Sequence, residues 1–414
     1  MNRRQFTAGA IAGWCGCRFA RAAEHDNGRT WPSEPPANCP FPPSREITGI
    51  RFTGVHASYA NADTWYPSWA SDGNLYSPWT DGKVGDISST SFGERATTGH
   101  ATILGDSPLD LKIVDAGTYP GSPAPYGGRY PCGSLVHNGV WYYGTYCLAD
   151  TDGDPSKGLN WDILGPFVGF RVSKDLGKTW IDTPHTPSKP IFDEPGKLGG
   201  TVKLGSPHFV DFGQNMRHSP DGKAYLVGHG AMAADPTPRP ANLSWITGDQ
   251  LYLIRVEPTV ANINDPAAYE YFAGRDRRGR PIWSHRFSDL KPIAEWDDRM
   301  GCVTMTYNAP LRKYLMCVTD GGNTISRFNT YILESSEITG PWKRIVFMKN
   351  FGEQAYFVNF PSKFIGSTGR EAWLLYASNF TNGYLKTNYR DDPPGSRYGM
   401  CLQKVDLLSP LAGS

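Results

Sequence analysis

From Ile47 onward the chain keeps returning to one pattern: an alternating apolar strand, a polar turn, an aromatic strand and a weaker strand pair. It occurs five times at irregular intervals. The first copy contains "DTWYPSWASDGNLYSPWTDG", Asp63 to Gly82, turning at Ser71 to Asn74. The second, "CGSLVHNGVWYYGTYC", runs from Cys132 to Cys147 and turns at Asn138-Gly139, a two-residue hairpin signal. The others are His208 to His229, Cys302 to Cys317 and Asn359 to Phe380. Hairpins divergently repeated in this way predict an all-β chain of five four-stranded blades closed radially, which leaves few free sheet edges. A β-sandwich is the competing arrangement. The segment Glu257 to Glu295 reads as an insertion between blades three and four.

Composition agrees with a loop-rich β protein. The 414 residues include 46 Gly and 34 Pro, and the net charge of +1 with no long basic run gives no mark of a phosphate-backbone partner, so no nucleic acid is expected. Thirteen Trp, 21 Tyr and 19 Phe suit β cores and sugar stacking equally. The start, "MNRRQFT", resembles a twin-arginine export signal, with Arg3-Arg4 followed by a small apolar stretch and "ARA" at Ala20 to Ala22. This divides the chain into a signal over 1–22, a proline-rich arm over 23–46 and a propeller over 47–414. It implies a periplasmic or secreted protein with no membrane contact after cleavage.

The first hairpin carries the chemistry. If its turn centres on Asp72 and Gly73, Asp63 faces Asp81, Trp65 faces Trp79 and Pro67 faces Ser77. Directly opposed residues have Cβ atoms about 4.5–5.5 Å apart, near the carboxylate spacing of about 5–5.5 Å in retaining glycosidases. Like charges this close raise one pKa and so supply a proton donor. Trp65 and Trp79 are then expected to line a sugar cleft. In the third copy His208 and His229 end their hairpin, with Asn215, Arg217 and His218 in the turn. The two histidines could bind a metal, act as acid and base, or hold a sugar hydroxyl or carboxylate. Arg129, Asp297, Asp298, Arg299, Glu353 and Tyr356 are further channel candidates. Cys132/Cys147 and Cys302/Cys317 could meet across strands, although buried free thiols suit their hairpins better. No metal motif appears and no cofactor is expected, with a structural or channel-bound cation such as calcium left open.

Three features carry resemblances. "SKDLGKTW", Ser173 to Trp180, resembles the Asp-box turn of sialidase-like propellers, and "ESSEITGPW", Glu334 to Trp342, resembles a blade ending of five-bladed propeller glycosidases. The acidic opening and closing of the first hairpin, with "GSPHFVDFGQNMRHSPDGKAYLVGHG" and "VTMTYNAPLRKYLM", resembles the endo-D-arabinanase type of five-bladed glycoside hydrolase. That resemblance implies catalysis by Asp63 and Asp81. The chain departs from the family by reading Asp63-Thr64-Trp65 and Thr80-Asp81-Gly82 where the family has Asp-Leu-Gly and Gly-Asp-Thr. The expectation is thus an exported glycoside hydrolase acting on a glycan. The alternatives are a polysaccharide lyase using His208, His229 and Tyr225 or Tyr356, and a carbohydrate-binding propeller without catalysis.

Overall fold

The computed structural model describes residues 28–150, 162–192, 194, 202–231, 244–322 and 325–410. The proposed export signal lies outside them. Five antiparallel sheets stand in a ring, each with its first strand on the axis and in contact with the next blade, which makes a five-bladed β-propeller. Blade one has Asn61–Asp63 and Ser68–Trp69 on the axis, then Leu75–Val84, Thr97–Leu104 and Lys112–Pro120. Blade two is Gly128–His137, Val140–Asp150 and Asp162–Ser173. Blade three starts at His208–Phe209 and continues through Ala224–Gly230 and Gln250–Val256. Blade four is Val303–Asn308, Lys313–Asp320, Asn329–Ser335 and Lys343–Met348.

Blade five shows how the ring closes. Tyr356–Asn359, Glu371–Ala377 and Met400–Leu407 come from the end of the chain, whereas the next strand outward, Ile50–Tyr59, comes from its beginning. Pairing from Ile50↔Leu407 to Tyr59↔Met400 ties the two ends together and covers what would be an open edge. The proline-rich arm continues this strap. Arg29–Thr30 pairs with the outer side of Ile50–Tyr59, Trp31 is buried, the Glu34 amide donates to the Phe347 carbonyl, and Ser44 Oγ donates to Glu334. From Gly28 to Glu46 the arm is therefore packed along blades four and five.

The segment Glu257 to Glu295 belongs to blade three. Glu270–Arg275 pairs with Gln250–Val256 through Ile254↔Tyr271, Pro281–Ser284 pairs with Glu270–Arg275, and Pro292–Glu295 returns to the other half of Gln250–Val256. At Ser173 to Trp180 the Gly177 amide donates to Ser173 Oγ, the Thr179 amide and hydroxyl both donate to Asp175, and Trp180 packs on Trp141 and Tyr143. All six cysteines among the described residues are free. Cys147 faces Arg129 and Cys317 faces Thr304, so neither sequence pair is in register to bond.

Candidate active site

The hairpin register expected from the turn holds near the turn and slips further out. Ser68 faces Tyr76 and Trp69 faces Leu75, but Asp63 faces Thr80 rather than Asp81. An irregularity between Asn61 and Asp63 takes up the difference. The strands also approach closely there, since a Cβ on Gly82 would lie 1.9 Å from the Asn61 carbonyl oxygen. Left-handed backbone gathers beside this irregularity and across the cavity from it, at Ala60 (φ 47°), Thr64 (φ 66°), Asp81 (φ 49°) and Phe357 (φ 54°). Positive φ is costly for a β-branched or aromatic residue, and such strain gathers where geometry serves function.

The slip brings Asp63 and Asp81 together by another route. Both line a cavity of about 610 Å³ at the start of the inner strands, with Thr64, Thr90, Phe92, Tyr130, Tyr146, Leu148, Trp245, Tyr356, Phe357, Phe380, Gly383 and Tyr398. Among the described residues they are the only carboxylates in that lining. Asp63 is 8% exposed and accepts from Thr64 Oγ1 at 2.8 Å and Tyr356 Oη at 2.8 Å. Asp81, half-buried, accepts from the Ser91 amide at 2.7 Å and from Ser91 Oγ at 2.5 Å. The Tyr398 hydroxyl donates to the Asp81 carbonyl.

Burial, and then the Asp81 charge, raises the Asp63 carboxyl above the ordinary carboxylate range. Burial also raises Asp81, while both Ser91 bonds oppose the rise. The donors decide which of the two holds a proton. Hydroxyls of Thr64 and Tyr356 can rotate to accept from a protonated Asp63, but the Ser91 amide can only donate and so favours an ionised Asp81. The arrangement is a proton donor beside a carboxylate in an aromatic cavity.

Of the residues singled out in the sequence, the structure brings Asp63, Asp81 and Tyr356 together and places the others elsewhere. Trp65 and Trp79 are buried in the core of blade one and do not line the cavity: Trp65 Nε1 donates to the Ala62 carbonyl, and Trp79 lies over Gly99, where a Cβ would come within 2.2 Å of the indole. Arg129 is buried and donates to Thr145 Oγ1, and Arg299 pairs with Asp320 at 2.7 Å. Asn215 exchanges hydrogen bonds with Asn138, and His218 accepts from Arg217, both on the connection that follows the inner strand of blade three. Ser91, Tyr398, Trp245 and Phe380 were not legible. Ser91, Trp245 and Tyr398 come from loops that carry no hairpin signal, and Phe380 opens a short helix, Phe380–Tyr384, where the fifth repeat ends.

The two histidines do not line this cavity either. His208 faces Val227, stacks on Tyr66 with ring centres 3.8 Å apart, and has Ser206 Oγ 3.3 Å from Nε2. His229 is fully buried, with Nε2 2.8 Å from the Ser244 carbonyl. Burial holds His208 well below the usual histidine range and lowers His229 to about 4. The folded state therefore refuses a proton that the unfolded chain binds below about pH 6.5. The stability this contributes is complete above that pH and is lost as pH falls toward 4. Urea midpoints measured between pH 7 and pH 4.5 should decline, and His229→Gln should make the decline shallower; an unchanged slope would refute a neutral His229.

No family model and no curated protein matches the chain. Solved structures similar to it include a putative hydrolase from Bacteroides ovatus ATCC 8483, with TM-score 0.48, 13% identity, and coverage of 86% of this chain and 90% of that one. The GH43_1 enzyme from Xanthomonas citri complexed with xylotriose gives TM-score 0.44 and 14% identity over 87% and 90% of the two chains. An α-L-arabinofuranosidase from Podospora anserina in complex with cellotriose gives 0.42 and 12% over 91% and 96%. Likeness at this level leaves the chemistry to be read from the chain's own residues.

Proposed function

We propose that the protein is a glycoside hydrolase whose Asp63 and Asp81 cleave a glycosidic bond at the aromatic end of the propeller channel. The observation that carries this reading is the pairing of two carboxyls, one favoured protonated and one favoured ionised, as the only acidic groups among the described residues of a cavity walled largely by aromatic rings. Asp63 would protonate the leaving oxygen, and Asp81 would act as base or nucleophile on the other side of the anomeric carbon. Tyr356 positions Asp63 through its hydroxyl, and Phe92, Trp245 and Phe380 offer ring faces to the C–H surfaces of sugars. The polysaccharide is the substrate class; D-arabinan chains, which the resemblance in the first hairpin suggests, belong in the panel of plant, algal and bacterial glycans that tests the proposal by release of reducing ends. Export through the twin-arginine signal to the periplasm or medium would bring such an enzyme to polymers too large to enter a cell.

The pH dependence has a definite sign. Catalysis needs Asp63 protonated, so turnover should be lost as pH rises through its raised pKa, giving an alkaline limb above the usual carboxylate range. Titration of Asp63 by carbon-13 NMR in Asp81→Asn protein should show its pKa falling by about one unit or more once the neighbouring charge is gone. It should stay above the ordinary range because burial, the larger cause, is unchanged. A pKa indifferent to Asp81 would mean that the two carboxyls do not act as a pair.

A further inference from the structure

The turn of blade three, where Asn215, Arg217 and His218 lie, takes no part in the proposed hydrolysis, and it borders a second cavity. This cavity, of about 340 Å³, is lined by Trp69, Gly213, Arg217, His218, Tyr307 and Lys363, among others. It lies at the opposite mouth of the channel. Trp69 is six residues beyond Asp63 along the inner side of blade one, roughly 20 Å at strand rise, and Tyr66 stacked on His208 fills the waist between the two ends.

The lining combines half-exposed rings with an unspent cation. Trp69 and Tyr307 are each partly open to solvent. Arg217 is exposed, sits with its guanidinium 5.4 Å from the Trp69 ring centre, and donates through Nε to His218 at 3.1 Å. Among the described residues it has no carboxylate partner, so its outer nitrogens remain available as a fork. The other nearby charges are already committed. Lys363 donates to the Gly73 and Gly105 carbonyls and pairs with Asp106, and Asp211 accepts from the Gly213 amide and from the Ser362 amide and hydroxyl.

We propose that this far mouth is a binding site for an acidic sugar residue, its pyranose ring against Trp69 and Tyr307 and its carboxylate on Arg217. Ring faces match the C–H surface of a sugar, and a planar guanidinium beside them matches a carboxylate with two parallel hydrogen bonds. The volume suits one or two sugar units, at the lower end of small-molecule sites. The site would hold a charged portion of a glycan without touching the reacting bond, and it stands whether or not Asp63 and Asp81 are catalytic.

The test is calorimetric titration of the full chain with a short oligogalacturonate and with its methyl ester. The acid should bind, and the ester should bind roughly tenfold more weakly or worse, since a charge-assisted pair is lost. Arg217→Gln should reproduce that loss for the acid, Arg217→Lys should lose less because the charge remains without the fork, and Asp81→Asn should leave affinity unchanged. Equal binding of acid and ester, loss of binding in Asp81→Asn with Arg217→Gln unaffected, or no heat with the acid at millimolar concentration would each overturn the proposal.

Discussion

Replacing Asp63 or Asp81 by Asn should lower glycan cleavage at least about 100-fold in each variant, the lower end of what removing a general acid or base costs. The substitution keeps the volume of the side chain and most of its hydrogen bonds. In the Asp63→Asn protein one of the Thr64 and Tyr356 hydroxyls can still donate to the side-chain carbonyl oxygen while the other rotates to accept from the new NH2, and in the Asp81→Asn protein the Ser91 amide can donate to the oxygen while the Ser91 hydroxyl accepts from the NH2, so the unfolding midpoint should move little. What disappears is the exchangeable proton in one variant and the negative charge in the other. Tyr356→Phe should cost less, because its hydroxyl donates to Asp63 and positions it. Reducing-end assays with the melting temperature measured in parallel separate loss of chemistry from loss of fold. Near-normal turnover in either aspartate variant would move the chemistry away from this cavity.

Trp79→Ala should have the opposite profile, a large loss of stability. The indole is 0% exposed in the core of blade one, against Trp65, Leu75 and Ala101 of the same cluster, and it occupies space left open only because residue 99 is glycine. Truncating a buried Trp removes its transfer free energy and leaves a cavity, together about 3–5 kcal/mol. A bulky Gly99→Val should destabilise from the other side by pressing a side chain into the same ring, a cost of about 1–3 kcal/mol or more for overpacking. Denaturant titration reads both. If Trp79 instead stacked on substrate, its loss would spare the midpoint and raise KM, which would contradict its place in the core.

These two substitutions also mark what the sequence could and could not reveal. Strand-turn-strand repetition is a local signal, so five hairpins and hence five blades were readable from alternation and turn residues. Ring closure was not, because Ile50–Tyr59 looks like any other strand and its partner, Met400–Leu407, lies at the far end of the chain. The carboxylate pair was found by counting register across one turn, and that count was right as far as Ser68↔Tyr76. It failed at Asp63, because an irregularity shifts pairing by one residue without any marker except the missing side chain of Gly82. The same one-residue logic misplaced Trp65 and Trp79, since pleating decides the face a side chain takes and a bulge reverses it. The histidines were correctly placed on one blade, but their burial depends on Tyr66 and Ser244 from other parts of the chain. Tyr398 and Ser91 could emerge only once the chain was folded.

The central claim is that water is added across a glycosidic bond by Asp63 and Asp81, and oxygen-18 water tests it most directly. Incubated in labelled water with a glycan that it cleaves, the wild-type protein should give fragments carrying one heavy oxygen at each new reducing end and no unsaturated sugar, as read by mass spectrometry. Asp63→Asn and Asp81→Asn should give almost none of that product. Unlabelled fragments bearing an unsaturated uronate, formed at undiminished rate in both aspartate variants, would show an elimination carried out by other residues and would contradict the account.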